Sequence, residues 1–456
     1  MLLSGKKRHP ILSTPVRMIS VSFLLVVITG TLLLTLPICN RQGVWTPFTD
    51  ALFTATSATC VTGLVIFDTY TYWNVLGQGV ILLLIQIGGL GLVTFTTFFN
   101  ITIGKKLGLR HMQIAQESVS SESLVDTTRL IKMIIILSLT FELAGALVLS
   151  TVFIPEFGAE GIFTSIFLAI SAYCNAGFDI LGSKGAFSSL TTYSDNPVVL
   201  YTIMGLIICG GLGFIVWKDL YNFRKTKKLM LHTKIVLLIT IALIFGGALL
   251  YLFNEWHNPG TLGPMSPGDK INNALFMSVT TRTAGFNSVD IASLSEPSML
   301  TSVFLMFIGA APGSTGGGIK VTTLAVILMT VYSVVRGKSD TMILGRRVSQ
   351  PVVYKSLAVV MIAALAVLCS TVTIVFTTGP DIEVGGMDAL FESVSAFATV
   401  GLSCGVTAVA NVASRMLLSL TMFIGRVGPV SLALALAMIP NKNRNQVVPE
   451  GKIMVG

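Results

Sequence analysis

The sequence predicts an all-α membrane protein built from four pseudo-repeats around one central pore, each repeat consisting of a helix, a re-entrant pore helix with its filter loop, and a second helix. Two observations predict this fold. Of the 456 residues, 53% are hydrophobic and only 11% are charged, whereas a soluble domain carries about 25% charged residues. In addition, a short apolar segment ending in one glycine recurs four times between long apolar runs. The composition excludes a soluble enzyme, a disordered protein and a secreted disulfide scaffold.

The long apolar runs predict the membrane spans, since a helix needs about 20 apolar residues to cross a bilayer core. Eight runs qualify: 18–37, 75–103, 130–154, 197–216, 235–253, 300–335, 352–377 and 416–440. Four runs between them are too short to cross: 48–58, 161–172, 272–280 and 387–398. Runs of that length are typical of re-entrant or buried helices. Eight crossings predict that both termini lie on the same side of the membrane.

The basic residues predict the orientation. One side carries the large majority of them: Lys6, Lys7, Arg8, Arg17, Lys105, Lys106, Arg110, Lys218, Arg224, Lys225, Lys227, Lys228, Lys234, Arg336, Lys338, Arg346, Arg347, Lys355, Lys442, Arg444 and Lys452. The opposite side carries Arg41, Lys184, Lys270 and Arg282 together with most of the acids. Cytoplasmic loops are enriched in Lys and Arg. We therefore expect a multi-pass protein of the cell membrane, with both termini cytoplasmic and the short segments entering from outside.

The domain organisation follows from this order. We expect a cytoplasmic N-terminus (1–16), repeat 1 (17–104), a cytoplasmic turn with repeat 2 (105–223), repeat 3 (224–345), repeat 4 (346–440) and a cytoplasmic tail (441–456). Within the repeats, the short segments align as ALFTATSATCVTGL, SIFLAISAYCNAGF, ALFMSVTTRTAGF and ALFESVSAFATVGL. Their shared phenylalanines are Phe53, Phe167, Phe276 and Phe391, and their shared glycines are Gly63, Gly177, Gly285 and Gly401. The phenylalanine precedes the glycine by ten residues in three repeats and by nine in the third.

The repeated glycines predict a cation filter. Non-helical backbone is tolerated at membrane depth only when it is buried in protein or lines a watery cavity, and a glycine lets successive carbonyls face one way. Rings of carbonyls replace the hydration shell of a monovalent cation. The negative end of each short helix also favours a cation at this place. The predicted filter residues are Thr59, Cys60, Val61, Thr62, Gly63, Tyr173, Cys174, Asn175, Ala176, Gly177, Thr281, Arg282, Thr283, Ala284, Gly285, Ala398, Thr399, Val400 and Gly401. The alternative is that these glycines serve only close helix packing.

These segments, together with QIGGLG at 86–91, GAAPGSTGGGIK at 309–320 and MFIGRVGP at 422–429, resemble the Trk/Ktr/HKT superfamily of potassium transporters, specifically the Ktr-type membrane subunit. The resemblance covers nearly the whole chain, although repeats 1 and 2 are degenerate at Cys60, Cys174 and Asn175. It implies K⁺ as the transported ion, with Na⁺ able to stimulate uptake. It also implies a homodimer that docks on a ring of cytoplasmic nucleotide-binding regulatory subunits.

Segment 309–320 interrupts the sixth predicted span with one proline and several glycines. A phosphate-binding loop is excluded because Ile319 separates the last glycine from Lys320. The resemblance implies an intramembrane gating loop under the filter, and a passive kink is the alternative. The residues assigned to gating are Gly309, Pro312, Gly313, Ser314, Thr315, Gly316, Gly317, Gly318, Lys320 and Arg426.

A few charges lie within predicted membrane segments, where they are costly and usually functional. For Arg426, the sequence leaves open a barrier to cations, hydrogen bonds to the gating loop, or a partner for a carboxylate such as Glu142. Arg282 and Glu392 lie in neighbouring repeats, and we expect them to form an ion pair behind the filter. The acids near the filter glycines, Asp68, Asp179 and Asp290, either concentrate cations at the pore mouth or cap helices.

The alternatives to conduction are a symporter coupled to Na⁺ or H⁺ and a subunit with a dead pore. Four repeats of the same sense favour conduction, since coupled transporters are typically built from two inverted repeats. An inside-negative potential supplies about 2.3 kcal/mol per charge per 100 mV. The residues suggest no catalytic constellation, organic cofactor or nucleic-acid partner. The basic segments 218–234 and 336–347 serve topology and anionic lipid of the bilayer or, by the resemblance, lie near the regulator.

Overall fold

The computed structural model describes residues 15–103, 109–118, 124–338, 340–377 and 384–428. The predicted N-terminal segment 1–16 lies almost wholly outside these residues, as do Lys105, Lys106, part of the predicted eighth span and the tail 441–456. The helices of the described part are α1 (Pro15–Thr35), α2 (Phe48–Cys60), α3 (Thr69–Tyr72), α4 (Val75–Leu90), α5 (Leu92–Thr102), α6 (Leu109–Ser118), α7 (Leu124–Phe157), α8 (Glu160–Tyr173), α9 (Pro197–Gly211), α10 (Phe214–Thr226), α11 (Leu231–Glu255), α12 (Pro267–Thr280), α13 (Glu296–Phe307), α14 (Val321–Val335), α15 (Gln350–Thr377), α16 (Gly386–Ala398), α17 (Val406–Val409) and α18 (Val412–Val427). A two-stranded antiparallel hairpin, β1 (Met342–Ile343) and β2 (Arg346–Arg347), follows α14.

Four helices of the described chain are long and apolar enough to cross a membrane: α1, α7, α11 and α15. Their outer surfaces expose large apolar side chains such as Leu25, Leu143, Leu249 and Phe376. Such surfaces are typical of helices that face lipid, because a soluble protein rarely exposes contiguous apolar patches of this kind.

The four short apolar runs are helices α2, α8, α12 and α16, as predicted. Each packs against the long helix that precedes it in the chain, in the pairs α1–α2, α7–α8, α11–α12 and α15–α16. The phenylalanine that all four share is fully buried in every case. The four short helices therefore form the interior of the protein, and the long helices surround them.

The second and fourth predicted spans are not continuous, and this corrects the sequence prediction. The chain bends by 91° between α4 and α5 and by 92° between α9 and α10. Gly91 and Gly213 occupy the breaks with φ of 82° and 88°. An L-residue rarely adopts that conformation, so the helix ends there. An apolar run measures hydrophobicity without registering such a break.

The sixth predicted span is also divided, since α13 ends at Phe307 and α14 begins only at Val321. The intervening loop is anchored at its two ends by a bridge between Ile308 and Ile319. The eighth predicted span begins as α18, which ends before Gly428 with φ of 94°. Helix α18 therefore also ends at a glycine with positive φ.

The first and last parts of the chain meet directly. Helix α2 packs against α18, and Arg415 on α18 forms a 3.0 Å ion pair with Asp50 in the first turn of α2. Both side chains are largely buried. The contact closes the arrangement of short helices into a circle.

Candidate cation filter

Three of the four short helices end in the same hydrogen-bonded turn. In each, the amide of the residue before the repeated glycine donates at 2.8 Å to the carbonyl five residues earlier: Thr62 to Ser57, Ala176 to Ser171, and Val400 to Ser395. In each turn the residue immediately before the donating amide adopts the left-handed conformation, as in a Schellman cap. These turns direct the chain away from the helix axis and into the predicted filter segment.

The left-handed residues themselves are unusual. Val61, Asn175, Thr283 and Thr399 have φ between 53° and 69°. Asparagine tolerates this region, but a β-branched residue there is a genuine outlier. Strain of this kind persists only where the surrounding structure over-determines the backbone, so this segment is held in place by its packing.

The third repeat has one residue fewer between its phenylalanine and its glycine, and its turn accommodates the difference. In that repeat the amide of Ala284 donates at 2.9 Å to the carbonyl of Thr280, four residues earlier rather than five. The turn absorbs the missing residue, and Gly285 still adopts a φ of 85°. The difference in phenylalanine spacing therefore does not displace the glycine.

The four glycines meet one another in cyclic order. A Cβ added to Gly63 would lie 2.5 Å from the carbonyl oxygen of Ala176, and one added to Gly177 would lie 2.7 Å from that of Ala284. The same construction at Gly285 and Gly401 brings a Cβ even closer to the carbonyl oxygens of Val400 and Thr62. Each repeat thus sets its glycine against the carbonyl of the next, and the fourth sets its glycine against the first.

Serine side chains support this ring, and the sequence reasoning missed them. The amides of Gly63 and Gly401 donate at 3.1 Å to Ser57 Oγ and Ser395 Oγ. In the second repeat Ser171 Oγ donates at 2.6 Å to the carbonyl of Phe178. A serine six residues before the glycine recurs in three repeats, which is the signal that identifies these residues.

A cavity of about 310 Å³ opens on one side of the ring and is lined by all four glycines. Asp68, Asp179 and Asp290 also line it. Asp68 also caps α3 by accepting from the amides of Tyr70 and Thr71, which is one of the two alternatives that the sequence left open. Burial, assisted by the neighbouring Asp68 carboxylate, raises the pKa of Asp179 to about 7.

The loop between α13 and α14 lies against the opposite side of the filter. Thr315 Oγ1 is 3.2 Å from the carbonyl oxygen of Tyr173. A Cβ added to Gly316 would collide with Thr283 Oγ1, and one added to Gly317 would collide with Thr399 Oγ1. The loop therefore contacts filter segments of the second, third and fourth repeats, and its glycines permit that approach.

Arg426 binds this loop. Its Nη1 donates to the carbonyl of Thr315, and its Nη2 donates to the carbonyls of Gly88 at 2.5 Å and Gly89 at 3.2 Å. Lys320 Nζ reinforces the loop from within by donating to the carbonyl of Gly316 at 2.7 Å. Of the three roles considered for Arg426, the geometry supports hydrogen bonding to the loop.

Glu142 has a different partner from the one considered. Its two carboxylate oxygens accept from Gln86 Nε2 at 3.1 and 3.2 Å. Gln86 Oε1 in turn accepts from Cys174 Sγ at 3.6 Å. The carboxylate is thus connected to the second filter segment through Gln86.

The predicted ion pair between Arg282 and Glu392 is wrong. Within the described chain Glu392 accepts from Ser403 Oγ at 2.8 Å and from both the amide and the hydroxyl of Thr407. Arg282 Nη2 instead donates at 3.3 Å to Thr240 Oγ1 on α11. The carboxylate satisfies its charge with donors from its own following loop, which a count of opposite charges does not reveal.

An apolar helical protein with a buried ring of backbone carbonyls has the features of a membrane cation-transport protein. Residues 4–447 match the family described as "TrkH: Cation transport protein". The chain belongs to this family.

Three relatives resemble the chain over most of its length. The potassium/sodium uptake protein NtpJ of Enterococcus hirae is 39% identical over 459 residues, covering 99% of each chain. The Ktr system potassium uptake protein B of Bacillus subtilis is 39% identical, covering 97% of each. The protein of the same name from Vibrio alginolyticus is 40% identical, covering 92% of this chain and 91% of the relative.

The fold is also that of a solved structure. The potassium transporter TrkH from Vibrio parahaemolyticus superimposes with a TM-score of 0.69 and 17% identity, covering 95% of this chain and 86% of that one. At 17% identity this likeness shows the fold alone.

Proposed function

We propose that this chain is the potassium-translocating membrane subunit of a Ktr-type uptake system. The observation that carries the proposal is the cyclic contact of Gly63, Gly177, Gly285 and Gly401, each against a carbonyl of the next repeat. The names of the relatives support K⁺ as the ion. The four repeats surround one pore, with the boundaries predicted from the sequence.

The ring performs transport by substituting for water. A cation that enters from the cavity loses hydration, and backbone carbonyls of the four filter segments replace the lost oxygens. Asp68, Asp179 and Asp290 raise the local cation concentration in the cavity. The C-terminal ends of the short helices add negative potential near the filter, and an inside-negative membrane potential draws the ion inward.

The loop containing residues 309–320 is the gate. It lies under the filter and is fixed by Arg426, so ions pass when this hydrogen bonding is released. We assign the trigger to a cytoplasmic nucleotide-binding regulator, and the membrane unit to a homodimer in the cell membrane with both termini cytoplasmic. The family membership and the charge distribution of the sequence support this arrangement.

The experiment is K⁺-limited growth of uptake-deficient cells that express the chain, followed by flux measurements in liposomes. Gly401→Ala should weaken K⁺ affinity and discrimination against Na⁺, because its Cβ would collide with the carbonyl of Thr62. Gly386→Ala, in the first turn of the same short helix with no atom within 4 Å of the added Cβ, is the matched control. Equal behaviour of the two variants contradicts the filter assignment, and no flux from the parent protein indicates a dead pore.

A second candidate is a symporter that couples K⁺ to Na⁺. The name of the Enterococcus hirae relative, a potassium/sodium uptake protein, favours Na⁺ as the second ion. Reversal potentials in liposomes separate the two: a Nernst slope for K⁺ alone supports conduction, whereas a dependence on the Na⁺ gradient supports coupling.

A further inference from the structure

Three glycines outside the filter have the same structural relationship to it. Gly88, Gly210 and Gly425 each lie three residues before a glycine-terminated helix break, at Gly91, Gly213 and Gly428. A Cβ added to any of the three would lie far closer than 3.0 Å to one carbonyl oxygen. The carbonyls belong to Thr59, Tyr173 and Phe397, respectively. Each is the residue four positions before the filter glycine of its repeat.

These carbonyls lack the amide that would continue the helix. In an unbroken helix the carbonyl of Thr59 would accept from the amide of Gly63, but that amide donates to Ser57 Oγ. The amide of Gly401 likewise donates to Ser395 Oγ rather than to the carbonyl of Phe397. Helix ends leave such carbonyls without intrahelical partners, and lipid supplies no water to replace them. The carbonyl of Tyr173 accepts instead from Thr315 Oγ1 at 3.2 Å. A glycine Cα–H that approaches closely offers a weak hydrogen bond of the kind found at helix–helix interfaces.

The third repeat uses the corresponding glycine differently. Gly309 aligns with Gly88, Gly210 and Gly425 in the repeated Ile/Cys-Gly pair that precedes each break. Its added Cβ would collide with the carbonyl of Gly317, within the loop under the filter. Gly88, Gly210 and Gly425 thus abut short helices, and Gly309 abuts the loop under the filter. Gly210 also approaches that loop, since its carbonyl accepts from the amide of Thr315 at 3.3 Å.

We propose that Gly88, Gly210 and Gly425 are positioning residues that determine ion selectivity from behind the filter. Each admits the backbone of a surrounding helix to the last carbonyl of a short helix and fixes where the filter segment begins. A side chain there displaces that short helix by the width of a methyl group, and the carbonyl ring widens or tilts. This inference rests on the proposed potassium transport function.

Two of the three helices contain their own matched control. Gly79 on α4 and Gly205 on α9 have no atom within 4 Å of an added Cβ, while Gly88 and Gly210 lie further along the same helices. Alanine raises helix propensity equally at all four positions. Gly88→Ala therefore differs from Gly79→Ala in contact with the short helix. Gly210→Ala differs from Gly205→Ala in contact with the short helix and with Asn175 and Thr315.

The test measures K⁺ and Na⁺ uptake by each purified variant in liposomes, together with thermal unfolding in KCl and in NaCl. We expect the parent protein to unfold at a higher temperature in KCl than in NaCl. Gly88→Ala and Gly210→Ala should reduce the K⁺-to-Na⁺ uptake ratio about tenfold and abolish this difference in unfolding temperature. Gly79→Ala and Gly205→Ala should retain both properties of the parent protein.

The outcomes separate this inference from the proposed function. If the parent protein takes up no K⁺, the proposed function itself is contradicted. K⁺ uptake by the parent with unchanged ion ratios in Gly88→Ala and Gly210→Ala overturns the inference alone. If both of these variants and Gly425→Ala fail to give monodisperse protein while the controls succeed, the glycines serve stability only, and the selectivity role is rejected.

Discussion

Arg426 donates a hydrogen bond to the main-chain carbonyl of Thr315, so a guanidinium on α18 holds a loop that lies more than 100 residues earlier in the chain. The same side chain reaches Gly88 and Gly89 at the end of α4. One charged group therefore joins the first, third and fourth repeats beneath the filter. These three hydrogen bonds connect α18 with the loop and with the end of α4.

Arg426→Gln should raise K⁺ flux measured without any regulatory subunit. The substitution removes charge-assisted hydrogen bonds worth about 1.5–3 kcal/mol each, and about 1.4 kcal/mol changes an equilibrium tenfold. Loss of the bond to Thr315 alone, at about 1.5 kcal/mol, therefore predicts a K⁺ flux into liposomes that is about tenfold higher. Arg415→Gln, on the same helix but bound to Asp50, should lower thermal stability without increasing flux. Equal flux from Arg426→Gln and the parent protein argues against this contact as the closing device.

Shortening the loop by deleting residues 314–316 should also increase flux. The deletion removes the segment that contacts Tyr173, Thr283 and Arg426, so less protein obstructs the filter. Conductance in planar bilayers measures the effect, with size-exclusion chromatography to establish that the variant is folded. A folded deletion variant with reduced or unchanged conductance contradicts the gate and favours a passive kink.

Glu392→Gln should destabilise the protein by about 1–3 kcal/mol, because a buried acceptor loses charge-assisted partners in the loop that contains Ser403 and Thr407. Since Arg282 binds Thr240 instead, the double variant with Arg282→Gln should show additive effects within about 0.5 kcal/mol. Thermal unfolding in detergent measures the cycle. A coupling energy well above this limit would support the ion pair between Arg282 and Glu392 that the sequence suggested.

The pKa of Asp179, raised to about 7 by burial, predicts a pH dependence of uptake. A carboxyl with this pKa is mostly neutral at pH 6 and mostly ionised at pH 8, and only the ionised form attracts cations. Apparent K⁺ affinity should therefore improve as external pH rises from 6 to 8, with its midpoint near 7.

Asp179→Asn should flatten this profile. Asp195→Asn, which changes an exposed acid away from the cavity, should leave it unchanged. If the apparent K⁺ affinity of the parent protein does not change between pH 6 and pH 8, Asp179 takes no part in ion entry. All measurements are made at limiting K⁺ and low ionic strength, because salt screens exposed charges.

Much of the fold could be predicted from the sequence because the relevant signals are local and repeated. The four short helices end within a few residues of the predicted positions, since each ends shortly before a glycine that follows a shared phenylalanine by nine or ten residues. The sharp bends at Gly91 and Gly213 were not predicted, because hydropathy is blind to backbone conformation. Their signal was nonetheless present as the shared run Gly-Gly-Leu-Gly at 88–91 and 210–213.

The candidate site divides in the same way. The filter segments and the loop at 309–320 are contiguous in sequence, so they could be proposed from the pattern, and their roles stay predictions. The partners of Glu392 and Arg282 depend on which hydroxyls and amides the tertiary structure brings near each charge. Net charge and sequence order do not contain that information, so the two residues were paired incorrectly.

The cyclic contact of the four glycines has a consequence for how such a protein changes over time. In an assembly of four identical subunits, one codon change alters every wall of the ring at once. In this chain Gly63, Gly177, Gly285 and Gly401 are encoded separately, so one substitution alters a single quadrant. In the proposed filter, ion preference can therefore shift in small steps. The four segments can also differ from one another, and they already do at Cys60, Cys174 and Arg282.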